Sequence, residues 1–275
     1  MRRLLRWAYR RFIHPTARNS LRVSLLLTAR DRPPEPITDF GCARVLVLAP
    51  HMDDETLGCG GSLVRHIEQG AQVTVVFMTD GRWGDARLFE NNLSAAEIDQ
   101  RQQVLMVTRQ DEARQATAIL GIHDLVFLNA TDGALRPDAA IVPGLADVIL
   151  QYLPDIVYLP FVMDLHEDHW QTNRVFLECL SRLPPHLHKR LCLRGYEVWT
   201  PLVANRLADI SVQMPRKLQA LAIYRSQLKD VNYLRAVEGL NAYRSVNLGK
   251  GEGFAEAFYQ CGVPEYQELM RQIGQ

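Results

Sequence analysis

A doubly wound α/β sandwich, with helices covering both faces of a mostly parallel sheet, is what this 275-residue sequence predicts. Three observations predict it. Short runs rich in β-branched residues alternate with stretches of helical periodicity. The alternation proceeds without a long linker, internal repeat or low-complexity segment. The residues suited to chemistry cluster directly after two of the runs, where the carboxyl ends of parallel strands carry sites in such folds.

The elements follow in order. Residues 1–30 stand apart: eight arginines, from Arg2 to Arg30, precede the first acid, Asp31. Leu4, Leu5, Trp7, Ala8, Phe12 and Ile13 fall among them at roughly helical spacing. This basic amphipathic stretch suits either contact with an anionic membrane surface or docking on the domain that follows. It lacks the uninterrupted apolar core of a signal peptide. The 32–36 run (RPPEP) breaks any helix. We therefore divide the chain into an N-terminal extension, 1–38, and a single domain, 39–275. Strands are expected at 44–49 (RVLVLA), 73–78 (VTVVFM), 125–128 (LVFL) and 156–159 (IVYL), with a weaker one at 196–200 (YEVWT). Helices are expected at 56–68, at 110–120 before the stop signal Gly121, and at 139–152, 170–183 and 217–228. The stretch 81–103 is polar and glycine-punctuated, with Trp83 and Phe89 inside, and reads as a loop able to close over a ligand. Trp199 and Tyr196 read as core residues of the weak strand.

Composition narrows the function classes. Lys plus Arg and Asp plus Glu both total 31, so the net charge is zero, and a globally basic nucleic-acid binder is excluded. Five scattered cysteines without a CxxC pair argue for a reducing, cytoplasmic setting, with the inner membrane surface as the place of any peripheral contact.

Two clusters carry the chemistry. After the first strand comes 51–61, HMDDETLGCGG. Helix N-capping alone would account for Asp53 and Asp54. The adjacent His51 points instead to a bound cation, with His51 and Asp54 on the ion and Asp53 left beside it as a base. The glycines let the opening helix approach the sheet; with Leu63 where a third glycine would fall, they make no dinucleotide fingerprint. After the 156–159 strand comes 161–170, FVMDLHEDHW. Three of the eight histidines thus lie in two strand-end clusters. His51, Asp54 and His169 would give two imidazoles and one carboxylate, with a fourth position for water, a donor set that suits zinc or another divalent transition metal.

These residues resemble the signatures of the PIG-L/LmbE-like family of zinc-dependent N-acetyl sugar deacetylases. The 50–61 run resembles its AHPDDE-type motif, and Asp164-x-His166-x-Asp168-His169 resembles its D-x-H-x-D-H motif. Asp80-Gly81, Arg109-x-x-Glu112-Ala113, Asp132-Gly133-x-Leu135 and the tail from Lys217 through Tyr224 to Ser226-Gln227 resemble its outer motifs, so the likeness runs from about residue 43 to about 230. Met52 and Glu167 stand where that family usually has proline; neither is a ligand position. The resemblance implies a Rossmann-like fold and hydrolysis of the N-acetyl group of a GlcNAc-type sugar, free, lipid-linked or nucleotide-linked. It implies His51, Asp54 and His169 as metal ligands, Asp53 as general base, a protonated His166 at the oxyanion, and Asp168 aiming that imidazole. Arg109, if not a solvated helix charge, and Asp132 would meet the substrate, and Arg82 with Arg87 could reach a phosphate on it or equally be ordinary surface residues. The competing readings are a metal-dependent phosphoesterase, which would need two ions and bridging carboxylates, and a non-catalytic glycan-binding or glycolipid-binding protein.

Overall fold

The computed structural model describes residues 33–41, 43–90, 93–249 and 251–273. The expected amphipathic stretch 1–30 lies outside them. In chain order the strands are β1 (Glu35–Pro36), β2 (Arg44–Ala49), β3 (Gln72–Thr79), β4 (Asp124–Ala130), β5 (Ile156–Pro160), β6 (Cys192–Tyr196), β7 (Arg206–Asp209) and β8 (Ala255–Gly262). They form one sheet in the order β1-β7-β8-β6-β5-β2-β3-β4. The α-helices among the described residues are α1 (Asp54–Glu68), α2 (Ala95–Leu120), α3 (Ile141–Tyr152), α4 (Glu167–Leu180), α5 (Pro185–Arg190), α6 (Met214–Leu221), α7 (Tyr233–Ser245) and α8 (Val263–Ile273), with a 3-10 turn at Ala86–Phe89. None is long and apolar enough to cross a membrane.

The sheet is parallel from β6 to β4. Its strands are apolar on both sides because both faces are covered. On β2, Leu46 and Leu48 pack into one layer with α3, α4 and α8, while Val45, Val47 and Ala49 pack into the other with α1, α2 and α6. From β2 the chain winds outward through β3 to β4, then returns to place β5 on the other side of β2. The winding direction reverses between β2 and β5, so a crevice opens beyond their carboxyl ends. Both predicted clusters follow those two strands.

Local causes explain the departures from expectation. The loop after β3 ends at residue 94, not 103, because Ser94 and Glu97 form a reciprocal capping box that starts α2. β1 joins the sheet at its edge, where proline is tolerated, so strand pairing begins before residue 39. The weak strand lies at Cys192–Tyr196 and stops where 196–200 was expected to run. α6 ends at Leu221, and residues 222–228 continue as turns. β8, which had no counterpart in the sequence reading, enters antiparallel between β6 and β7. The glycine-rich start of α1 is a contact requirement. A Cβ on Gly58 would stand 2.2 Å from the Tyr196 ring, and one on Gly61 would stand 2.7 Å from Ile210.

Candidate active site

The turn from β2 into α1 brings its acids together by backbone geometry. Asp53 precedes α1 at φ 144°, a left-handed conformation that costs a non-glycine residue of order 1–3 kcal/mol. Its N–H donates to Glu55 Oε2 at 3.2 Å, and its carbonyl accepts from Thr56 and Leu57. Glu55 is fully buried, and its Oε1 accepts from the Tyr224 hydroxyl and from Thr56, both at 2.5 Å. The Glu55–Tyr224 pair thus ties the tail of the chain to the strained residue.

His51 and His169 converge on one oxygen. Asp54 Oδ2 lies 3.2 Å from His51 Nδ1 and 3.2 Å from His169 Nε2. Each imidazole has carboxylates behind it. His51 Nε2 lies 3.2 Å from Asp132 Oδ1 and 3.2 Å from Asp168 Oδ2; His169 Nδ1 lies 3.3 Å from Asp164 Oδ1. Backbone donors fix these carboxylates: Gly133 and Leu135 donate to Asp168, Trp83 to Asp132, and His166 and Trp199 to Asp164. Yet His169, with no exposed surface, completes no hydrogen bond through either ring nitrogen. A buried imidazole facing carboxylates without bonding them is what a divalent cation would complete. Among the described residues, ligand atoms of His51, His166 and His169 lie within 4.8 Å of one another, as do those of His51, Asp132 and Asp168. The expected trio of His51, Asp54 and His169 shares two members with the first group.

Adjacent carboxyls are pushed apart electrostatically. Burial lifts Asp53 to about 7, against the pull of Arg109, whose Nη2 lies 3.5 Å away. Burial would lift Asp54 too, but the imidazoles of His169 and His51 hold it far below the usual carboxylate range. Burial lowers His169, but Asp54 and Asp164 outweigh it and raise the imidazole to about 9. Burial, then the neighbouring His51 and His169, lowers His166. One carboxyl suited to carrying a proton thus sits beside one that stays ionised.

The cluster opens into a cavity of about 530 Å³. Arg109 lines it while donating to the carbonyls of Met52 and Gly81. Asp53, Asp54, Asp132, His51 and His166 line it as well; Asp168 and His169 stand behind, fully buried. Three expectations need correction. Arg82 is held in two hydrogen bonds by Asp80 and does not line the cavity, and Arg87 is likewise held by Asp85. The Asp168 carboxylate serves His51, not His166; His166 Nδ1 accepts instead from the Asp168 backbone N–H at 3.2 Å. Trp199 is no core residue: it is 50% exposed and lines the cavity. In the tail, Tyr224 and Ser226 are buried, and Gln227 lines the cavity while donating to the Gly84 carbonyl. Sequence reasoning assigned no role to Asp164, although its D-x-H spacing was visible, and it passed over Tyr233 altogether.

The PIG-L family model, described as GlcNAc-PI de-N-acetylase, matches residues 46–180. The chain is 29% identical over 192 residues to the probable N-acetyl-alpha-D-glucosaminyl L-malate deacetylase 2 of Bacillus cereus, covering 66% of this chain and 83% of the relative. It is 30% identical over 159 residues to the uncharacterized deacetylase YaiS of Escherichia coli K12, covering 56% of this chain and 72% of the relative. Its fold is similar to that of the N,N'-diacetylchitobiose deacetylase from Pyrococcus horikoshii, with a TM-score of 0.68 and 22% identity over 90% of this chain and 94% of that one.

Proposed function

Because this chain belongs to the PIG-L/LmbE-like deacetylase family, we propose that it is a zinc-dependent hydrolase removing the N-acetyl group from a GlcNAc-type amino sugar or sugar conjugate. The observation that carries the reading is the meeting of two carboxylate-backed imidazoles on Asp54 Oδ2 beside a carboxyl that is lifted to about 7. Relatives are named for acting on N-acetylglucosaminyl malate and on diacetylchitobiose. An acetamide on a sugar is the element common to those names.

His51, Asp54 and His169 would hold the ion. When bound, zinc lowers the pKa of water from about 15.7 toward about 7 and polarises the acetamide carbonyl. Asp53 lies outside the ligand set and takes the proton from the attacking water. The carbonyl carbon becomes tetrahedral, and its C–N bond then breaks. Asp53 returns the proton to the departing nitrogen, giving acetate and a free amino sugar. Because His166 Nδ1 already accepts from a backbone N–H, its proton belongs on Nε2. His166 therefore serves as a neutral donor to the developing oxyanion rather than as the imidazolium expected from sequence. Arg109 steadies the base through Asp53 Oδ1.

The test is metal analysis joined to acetate release from N-acetylglucosaminyl compounds. The expected result is one zinc per chain and release of acetate, with His169→Ala losing the metal and the activity together. Two ions per chain with phosphate release would establish the phosphoesterase instead. A zinc-loaded protein releasing acetate from none of them would overturn the deacetylase reading.

A further inference from the structure

In the sheet, β5 and β2 lie between β6 and β3. The loops after the inner pair carry the acid–imidazole cluster, so the loops after the outer pair flank it. Both flanking loops bring aromatic rings to the cavity. After β3, Trp83 and Phe89 stack with centroids 5.5 Å apart. After β6, Trp199 stacks 6.3 Å from His166 and meets Tyr233, at the start of α7, edge-on at 6.1 Å. Phe89 is 68% exposed and Trp83 38%. Large rings held open to water at the mouth of a cavity mark a surface for a ligand.

The charge around the rings is equally selective. The charged lining residues, Asp53, Asp54, Asp132 and Arg109, stand with the acid–imidazole cluster, where the ion would offset the acids. Arg109 donates to two carbonyls beside Asp53, with its buried Nε left unpartnered. Arg82 and Arg87, the nearby loop cations, are bound to acids and do not line the cavity. Beside the rings the lining continues as Gly84, Gly133 and Gln227. Among the described lining residues the one Arg or Lys is Arg109, tied to the cluster by Asp53 and the Met52 and Gly81 carbonyls, and the aromatic walls supply none.

We propose that the two aromatic walls are subsites for uncharged sugar rings next to the acetamide-bearing ring, so that the substrate class is a neutral glycoside of at least two rings. The proposal rests on the deacetylase reading above. A sugar face presents C–H groups of slight positive charge, and these lie well against the negative face of an aromatic ring. Rigid Trp and Tyr supply that contact at low entropic cost. An anionic substituent on either wall would instead find no cation of the wall itself to pair with.

The test compares kcat/KM of the zinc-loaded full chain, by acetate release, on N-acetylglucosamine, its β1,4-linked disaccharide and its 1-phosphate. A stacked ring is expected to be worth about tenfold. The disaccharide should exceed the monosaccharide by that factor, and the 1-phosphate should not. Trp199→Ala or Phe89→Ala should cost the disaccharide about tenfold more than the monosaccharide, mainly in KM. A best substrate that is the 1-phosphate, or a disaccharide preference surviving both variants, overturns the proposal. Tryptophan-fluorescence titration of Asp53→Asn protein with the disaccharide separates the two readings. Binding weakened about tenfold by Phe89→Ala, with no acetate from any sugar, would sink the deacetylase and keep the subsite. Acetate release with unselective binding would do the reverse.

Discussion

Two clusters of charge are buried in this protein, and they are built on opposite terms. Lys217 and Glu256 pair under α1 with no more than 1% of either side chain exposed. The Lys217 ammonium has three donors and uses all three, on Glu256, on Asn241 and on the Leu57 carbonyl. Glu256 takes the N–H groups of Gly61 and Ser62 as well. Every charged atom of that pair is thus occupied. The His51–His169 cluster leaves imidazole nitrogens unbonded, holds more acids than cations, and keeps Asp53 in a strained conformation. A closed polar network fixes structure, whereas an open one at equal depth is poised for chemistry.

That contrast can be broken by substitution. The largest effect is expected at Asp53→Asn: turnover falls by ~10²–10⁴ while zinc stays bound, the usual worth of a general base. Equal loss of zinc, read by metal analysis, would move Asp53 into the ligand set. Next comes Lys217→Met, which strands a buried carboxylate. Denaturation should show a loss of about 3–5 kcal/mol, with metal retained by the protein that remains folded. Unchanged stability would erase the distinction between the clusters. Asp164→Asn, behind His169, should weaken metal binding by ~10–100-fold in a chelator competition. The last effect is with pH. His169, raised to about 9, is protonated in metal-free protein below that value, and the ion must displace its proton. Affinity should therefore climb with pH, up to about tenfold per unit for each proton released, and level off near 9. A flat profile from 6 to 9 would contradict the assignment of His169.

Much of this was legible. The β2 and β5 runs are short and rich in β-branched residues, and chemistry gathers after each, so the crevice between them follows from fold logic. Other features depend on partners far along the chain. β8 looks unlike a buried strand because it contains Glu256, and Lys217, 39 residues earlier, together with the Gly61 and Ser62 N–H groups, makes that acid tolerable. The 196–200 run reads as a strand. Yet Glu197 turns to Arg244 on α7 and to the Leu202 N–H, carrying Trp199 out to the cavity. Arg82 and Asp80 show why a loop arginine is a poor predictor of phosphate contact: the acid two residues away had already claimed it. The start of α2 was readable from Ser94 and Glu97, the spacing of a capping box.

The position of β8 bears on how the molecule is made. It is filled late in translation, yet it lies inside the sheet, between β7 and β6. Until residue 262 has left the ribosome, both neighbours present bare hydrogen-bonding rims. From the emergence of β7 until that of β8 the nascent chain therefore carries two adhesive borders, a natural holding point for a chaperone. A ribosome stalled shortly before that strand would release a product prone to pairing with its own kind.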